Sequence, residues 1–272
     1  MTSVAITVEK KDAIAEVVLR GPGKGNAMGP DFWRECPEVF DALDRDPEVR
    51  AIILRGNGGT FSFGLDLRSM MSELGPLTTG EILAAERTKL LALVGQLQRA
   101  PDSIERCKKP VICAIAGWCI GGGIDIASAC DVRLASKDAR LSVREVKVAM
   151  VADLGSLQRL PRLIGQGMTR ELALTGDDID ASEALRIGLV NHIYEDENAL
   201  LEAARAMAKR MAKNPPLVVQ GVKEVMNYCA DKSIADGERF VAVWNSAFLA
   251  SHDLFEAVGA FAEKRAPKFS GK

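Results

Sequence analysis

The chain has 272 residues, 47% hydrophobic and 26% charged, enough to bury a sizeable core as one large domain or a main domain with an appendage. Its 35 Lys and Arg against 37 Asp and Glu leave a net charge of −2, which gives no electrostatic reason to expect a nucleic-acid or membrane partner. The six cysteines, at positions 36, 107, 113, 119, 130 and 229, show no CxxC spacing and lie mostly in apolar runs. They read as small buried hydrophobes in a reducing compartment. The N-terminus lacks the apolar segment of a secretion signal, no run approaches transmembrane length, and the last residues are not a peroxisomal address. A cytoplasmic, bacterial protein is the expectation.

In chain order, residues 4–8 and 14–19 alternate like strands around a charged turn at Lys10-Lys11-Asp12, and 21–25 reads as a flexible loop. Residues 30–43 look helical, with Asp31 as a plausible cap. A short apolar strand at 51–54 ends at Gly56-Asn57-Gly58-Gly59, followed by a loop over 60–67 and a variable-looking stretch through Gly80. Residues 81–99 form a long amphipathic helical pattern, with the end of a second short one at 104–107. Apolar strands follow at 111–116 and 132–135, and a short one at 140–142. Residues 153–164, 168–175 and 181–186 read as helices before a strand at 189–193, and the pattern from 200 to 265 is helical. Strands and helices alternating, with helices gathered at the end, argue an α/β core over 1–199 and a C-terminal helical module over 200–272.

The most informative stretch runs from Gly117 to Asp131. Three consecutive glycines, Gly121–Gly123, open an almost wholly apolar helix that nevertheless carries Asp125. A helix start offers unpaired N–H groups with partial positive charge, and glycine allows close approach to them. A carboxylate in such a helix is costly unless it is paired, protonated or used. Donors for an oxyanion beside an ionisable group point to an active site, although the glycines alone would equally serve close helix packing.

This stretch, with Gly25-Asn26-Ala27-Met28, the segment 61–67, Gln158-Arg159-Leu160-Pro161-Arg162 and Glu263-Lys264-Arg265, resembles the crotonase superfamily of enoyl-CoA hydratases and isomerases over nearly the whole chain. The resemblance implies a spiral of ββα turns closed by C-terminal helices, assembled as a homotrimer or homohexamer, and an acyl-CoA thioester substrate. It also implies an oxyanion hole of two backbone N–H groups, which by motif position are those of Phe63 and Gly122. Such fixed dipoles meet charge as it develops, with little reorganisation.

Three acids bear on which reaction the scaffold performs, since one fold hosts many. The two glutamates that hold water in hydratases match Asp125 and Glu145, so the first is shorter by a methylene, and Asp153 stands where hydratases typically have glycine. The trio Asp125, Glu145 and Asp153, with Cys119–Asp125, Ser128–Asp131 and Ala152–Gly155 around it, is similar to the Δ3,5-Δ2,4-dienoyl-CoA isomerases. Moving two conjugated double bonds is a proton transfer from carbon 2 to carbon 6 through a dienolate, which needs one group to take a proton and another to give one. By resemblance Asp153 is the base and Glu145 the acid, with Asp125 raising the latter's hold on its proton.

Each acid also has a plainer reading: Asp153 as a helix cap, Glu145 as a surface ion-pair member beside Arg144 and Lys147, and Asp125 as a buried structural carboxylate. Asp131, at the end of the glycine-opened helix, reads as structural. The resemblance implies that the main chain at Ala27 and Asp66 lines the CoA cleft. It further implies that Lys264, with Phe261 a turn earlier, meets the nucleotide from a neighbouring subunit. Lys264 also reads as an ordinary basic helix end. Gly25 departs from the basic residue frequent there in relatives. His192 and His252 belong to no Ser/His/Asp set, and no metal-ligand cluster or cofactor is expected. An enoyl-CoA hydratase and a non-catalytic binding protein of the same fold are the alternatives.

Overall fold

Alternation of apolar and polar residues shapes the N-terminal hairpin. In the computed structural model, which describes residues 4–21, 24–79 and 83–272, β1 (Ile6–Lys11) and β2 (Ile14–Leu19) pair antiparallel around a turn at Asp12 and Ala13. Residues 22–23 of the expected loop, Gly80 at the end of the variable-looking stretch, and 81–82, the first two residues of the expected helix over 81–99, lie outside the described residues.

The next strands are continuous apolar runs, the pattern of a sheet covered on both faces. After α1 (Pro30–Arg45) comes β3 (Ala51–Arg55); α2 (Leu67–Thr78) and α3 (Ala84–Arg106) then lead to β4 (Val111–Ile115). The chain continues through β5 (Trp118–Ile120), α4 (Gly122–Ser128), β6 (Val132–Ser136), β7 (Arg140–Ser142), α5 (Ser156–Thr175), β8 (Ile179–Asp180), α6 (Ala181–Arg186) and β9 (His192–Tyr194). It closes with α7 (Glu197–Ala212), α8 (Pro216–Tyr228), α9 (Ile234–Phe248) and α10 (His252–Ala262).

Six strands form one sheet in the order β1-β2-β3-β4-β6-β9, parallel from β2 onward, and β5, β7 and β8 form a second. Successive turns give a strand to each sheet and then a helix, as β4-β5-α4 and β6-β7-α5 do, so the α/β spiral expected from the sequence is the fold found. Because side chains alternate along a strand, each face of the large sheet has its own core. Ile52, Leu54, Cys113 and Ile115 pack with Phe32, Phe40 and Ile104 from α1 and α3, whereas Ile53, Ile112, Ala114 and Leu134 pack with Leu200, Ala204, Ala208 and Ala212 of α7.

Several elements differ from expectation. Asp31 does not cap α1; Gly29 occupies that position without a side-chain bond, and Asp31 pairs with Arg34 in the first turn. The two helical patterns before β4 are one helix, α3, which continues through Pro101 because its buried stripe (Leu97, Ala100, Pro101, Ile104) packs against the core. Tertiary packing overrides the local break. The variable-looking stretch holds α2, capped by Asp66, whose Oδ1 accepts from the N–H groups of Arg68 and Ser69 at 3.2 and 3.3 Å. The expected strand at 189–193 is shorter and shifted toward the C-terminus, as β9 over His192–Tyr194.

Asp131 is one tie that joins the C-terminal helices to the spiral. Its Oδ2 accepts from Val111 N–H at 2.7 Å and from Lys223 Nζ on α8 at 2.8 Å, while the buried lysine also donates to the carbonyls of Ile104 and Lys109. Removing the acid leaves a buried ammonium without a counter-charge, a loss of about 3 kcal/mol. Asp131→Ala should therefore lower the urea unfolding midpoint markedly, while Lys10→Ala, at the exposed Lys10–Asp46 pair, should leave it where it is.

Candidate active site

The loop after β3 runs beside β5: Ser62 donates its N–H to Trp118 O at 2.9 Å and accepts from Ile120 N–H at 3.1 Å. Gly64 adopts φ +80°, and a Cβ there would lie 2.6 Å from Ile120 O and 3.0 Å from Gly122 N, so only glycine fits. That turn governs where the backbone donors point. Phe63 N–H donates to Gly25 O at 2.8 Å and is not available as an oxyanion donor, which corrects the sequence expectation. Leu65 N–H, one residue beyond the glycine, has no partner among the described residues.

Gly122 begins α4, and its N–H is likewise without a partner among the described residues. A Cβ on Gly122 would sit 3.6 Å from Leu65 N, so the two free donors are neighbours. Both residues line a cavity of about 110 Å³ with Phe63, Gly121 and Glu145, and Leu67, Val148 and Met150 make its mouth apolar. An apolar chamber with two convergent N–H donors suits a carbonyl oxygen that gains charge.

The three acids are held differently. Asp125 is 1% exposed, one turn inside α4, and its Oδ1 accepts from Ser156 N–H at 2.7 Å. Burial pushes its carboxyl up to about 6, against the lowering effect of that bond. Asp125 thus caps α5, a role the sequence offered to Asp153; Gly155 occupies the cap position itself. Glu145 opens a 3-10 turn and faces the cavity, with Oε2 buried and unpartnered among the described residues. Burial first, and then the charge of Asp125, push its carboxyl up to about 7. Its basic neighbours pair elsewhere, Arg144 with Asp178 and Lys147 with Asp177, so Glu145 belongs to no surface ion pair among the described residues.

Asp153 is the least enclosed of the three and does not line the cavity, but its carboxyl is also raised by desolvation. Its charge in turn raises both Asp125 and Glu145, which puts the trio within electrostatic reach of one another. The remaining expected residues, Ala27, Asp66, Phe261 and Lys264, do not line this chamber. Asp66 caps α2, while Phe261 and Lys264 are exposed at the end of α10. Among the described residues no group of three His, Cys, Asp or Glu is arranged to hold a metal ion, and no helix is long and apolar enough to cross a membrane.

The sequence reading missed Leu65 and Ser156. The first is signalled only by its place after a glycine with positive φ, the second by a bond spanning 31 positions.

A carboxyl whose folded-state pKa is raised binds its proton more tightly in the folded than in the unfolded chain. The stabilisation is therefore full below about pH 4.5 and is lost as pH rises through about 7 for Glu145. Glu145→Gln should flatten the fall in stability between those values and raise the unfolding free energy at pH 8 by about 2 kcal/mol. Urea titrations across this range provide the check.

The sequence profile of the enoyl-CoA hydratase/isomerase family matches residues 9–272. A mitochondrial Δ3,5-Δ2,4-dienoyl-CoA isomerase of Dictyostelium discoideum is 43% identical over 269 residues, covering 97% of this chain and 90% of the relative. A peroxisomal one of Arabidopsis thaliana is 40% identical over 258 residues, covering 95% and 93%. Among solved structures, an enoyl-CoA hydratase from Bacillus anthracis superposes with a TM-score of 0.89 at 28% identity, covering 98% of this chain and all of that one. The two isomerase relatives sit in organelles, which overturns the expected cytoplasmic location: free cysteines mark a reducing setting without saying which one. Profile, relatives and fold agree that the chain belongs to the enoyl-CoA hydratase/isomerase family, the crotonases.

Proposed function

We propose that this protein is an isomerase that converts 3,5-dienoyl-CoA to 2,4-dienoyl-CoA. The observation that carries the reading is the unpartnered Glu145 Oε2, buried in an apolar cavity with two free N–H groups and pushed to a pKa near neutrality. A carboxyl in that state can give up a proton at pH 7. The identity to dienoyl-CoA isomerases, well above that to the solved hydratase, supports the same reaction.

Asp153 takes the proton from carbon 2, and the freed electron pair moves directly onto the thioester oxygen, giving a dienolate conjugated through the double bonds out to carbon 6. Gly122 and Leu65 N–H hold that oxygen as charge develops on it. The negative charge of Asp125 keeps Glu145 protonated until it delivers its proton to carbon 6, which restores the carbonyl and leaves the double bonds at 2 and 4. One proton is taken and one given, so the reaction balances without a redox cofactor or metal. Asp153, open to solvent, can release its proton, and Glu145 regains one before the next turnover. A hydratase would need Asp125 and Glu145 to hold water together. The buried Asp125 instead directs Oδ1 to Ser156 N–H.

We read the CoA moiety as lying along the main chain of Ala27 and Asp66, with Lys264 and Phe261 reaching it from another copy of the chain. The module over 200–272 would mediate that assembly, a homotrimer or homohexamer. Its helices α8–α10 expose Val222, Met226, Val243, Phe255 and Val258, and a groove of about 410 Å³ runs between them. So much contiguous apolar surface favours association.

Purified protein should convert 3,5-dienoyl-CoA with growth of the conjugated 2,4-dienoyl absorbance, and Asp153→Asn should lower kcat about 10³-fold. Fast hydration of crotonyl-CoA that survives Asp153→Asn would overturn the isomerase reading, and absence of turnover of either thioester would favour a binding protein. Asp125→Asn removes the charge that raises Glu145, so the acid form is lost at lower pH. The alkaline limb of the kcat profile should shift toward acid. In light scattering the wild-type chain should form a trimer or larger assembly that Val222→Asp with Phe255→Asp dissociates.

A further inference from the structure

The segment between Glu145 and α5 has little regular structure of its own beyond the short 3-10 turn, yet it carries Asp153. Its last residues are held from behind, away from the acyl cavity. Gln98 Nε2 on α3 donates to the main-chain carbonyl of Asp153 at 2.6 Å. Arg159, in the first turns of α5, donates from Nη1 to Leu154 O at 3.4 Å. Gly155 lies at φ +111°, and a Cβ there would fall 1.9 Å from Arg159 Nη1, so the guanidinium can approach only because the residue is glycine.

Arg159 is itself fixed. Its Nε and Nη2 donate to Glu105 Oε2 at 2.9 and 2.6 Å, and Nη2 donates to Asp102 Oδ1 at 2.9 Å, with the side chain only 10% exposed. Gln98, Asp102 and Glu105 follow one another at helical spacing four and three residues apart, which puts them on one face of α3. A planar guanidinium suits such a fork, since two carboxylates hold it in one orientation. They also pair its positive charge, which nonetheless acts on Asp125, lowering a carboxyl that burial raises.

We propose that Gln98 and Arg159 are positioning residues for the proton-transfer step, forming with Asp102 and Glu105 a bracket on α3 that fixes the backbone of 153–155 and thereby the carboxyl of Asp153. The inference rests on the reading of Asp153 as the base. Proton abstraction from carbon depends steeply on the placement of the base, and displacement by an ångström costs orders of magnitude in rate. The bracket touches neither the cavity nor the two free N–H groups, so its loss should act on kcat and leave KM alone.

The test measures steady-state kinetics with 3,5-dienoyl-CoA and backbone hydrogen exchange for Gln98→Met, Arg159→Met and Arg159→Lys. The two methionine variants should lose about 10-fold or more in kcat with KM within about twofold of wild type. Amides of 153–156 should exchange at least about 10-fold faster while those of β3 and β4 stay protected. Arg159→Lys, which can still reach one carboxylate, should recover part of both losses. Unchanged kcat, or unchanged exchange at 153–156, in both methionine variants overturns the bracket, as does a rise in KM that accounts for the whole loss. A wild-type enzyme that fails to isomerise the dienoyl substrate would instead sink the assignment of the reaction, and the exchange pattern alone would then decide whether the bracket exists.

Discussion

The hydrogen bond from Ser156 N–H to Asp125 Oδ1 is the interaction on which the rest of the site depends. It joins α4, whose start carries the free N–H of Gly122, to the first residue of α5, and so sets the end of the segment that bears Asp153. A carboxylate 1% exposed would be costly in an apolar helix without such a partner. One bond satisfies it only in part, and burial still pushes its pKa up to about 6. The charge that remains acts on Glu145, which lies in the same poorly solvated region with no hydrogen bond to its Oε2 among the described residues. Structure and electrostatics meet in this one contact: Asp125 positions two helices and raises the proton affinity of its neighbour.

The large sheet prepares the ground for that arrangement. Its parallel strands are covered on both faces, by α1 and α3 on one side and α7 on the other. The second sheet can then carry the loop of Phe61–Leu67 alongside β5 with its backbone bonded to Trp118 and Ile120. Such a scaffold fixes the donors before any ligand arrives, which is what stabilising developing charge requires.

Much of this was legible in the sequence, for identifiable reasons. Strands such as β2, β3 and β4 follow from alternation or from apolar runs bounded by turn residues, and the glycine-opened helix from its composition. The residue types of the acids were also visible, because Asp125 and Glu145 stand in distinctive surroundings. Direction was not. Whether Phe63 or Leu65 aims its N–H into the cavity depends on φ at Gly64, and a string of letters does not record that angle. The cap of α5 was not visible, because its partner comes from another helix rather than from the preceding residues, where Asp153 was the alternative candidate. Helix α2 was hidden since Asp66, its cap, lies in a stretch with no clear apolar period. Pro101 suggested a break that the packing of α3 on the core removes.

The length of the acid at position 125 bears on which chemistry the scaffold supports. A glutamate there would carry its carboxyl one methylene farther from α4. The shorter aspartate reaches Ser156 N–H instead and remains outside the cavity wall. The charge of a carboxylate so placed still penetrates the low-dielectric space between it and Glu145. On the proposed reading, one methylene would convert a ligand for water into an electrostatic bias on the neighbouring acid. That bias would count for little in hydration, where the water itself supplies the proton. It matters where Glu145 must hold a proton ready for carbon 6, with the base on a separate segment behind it.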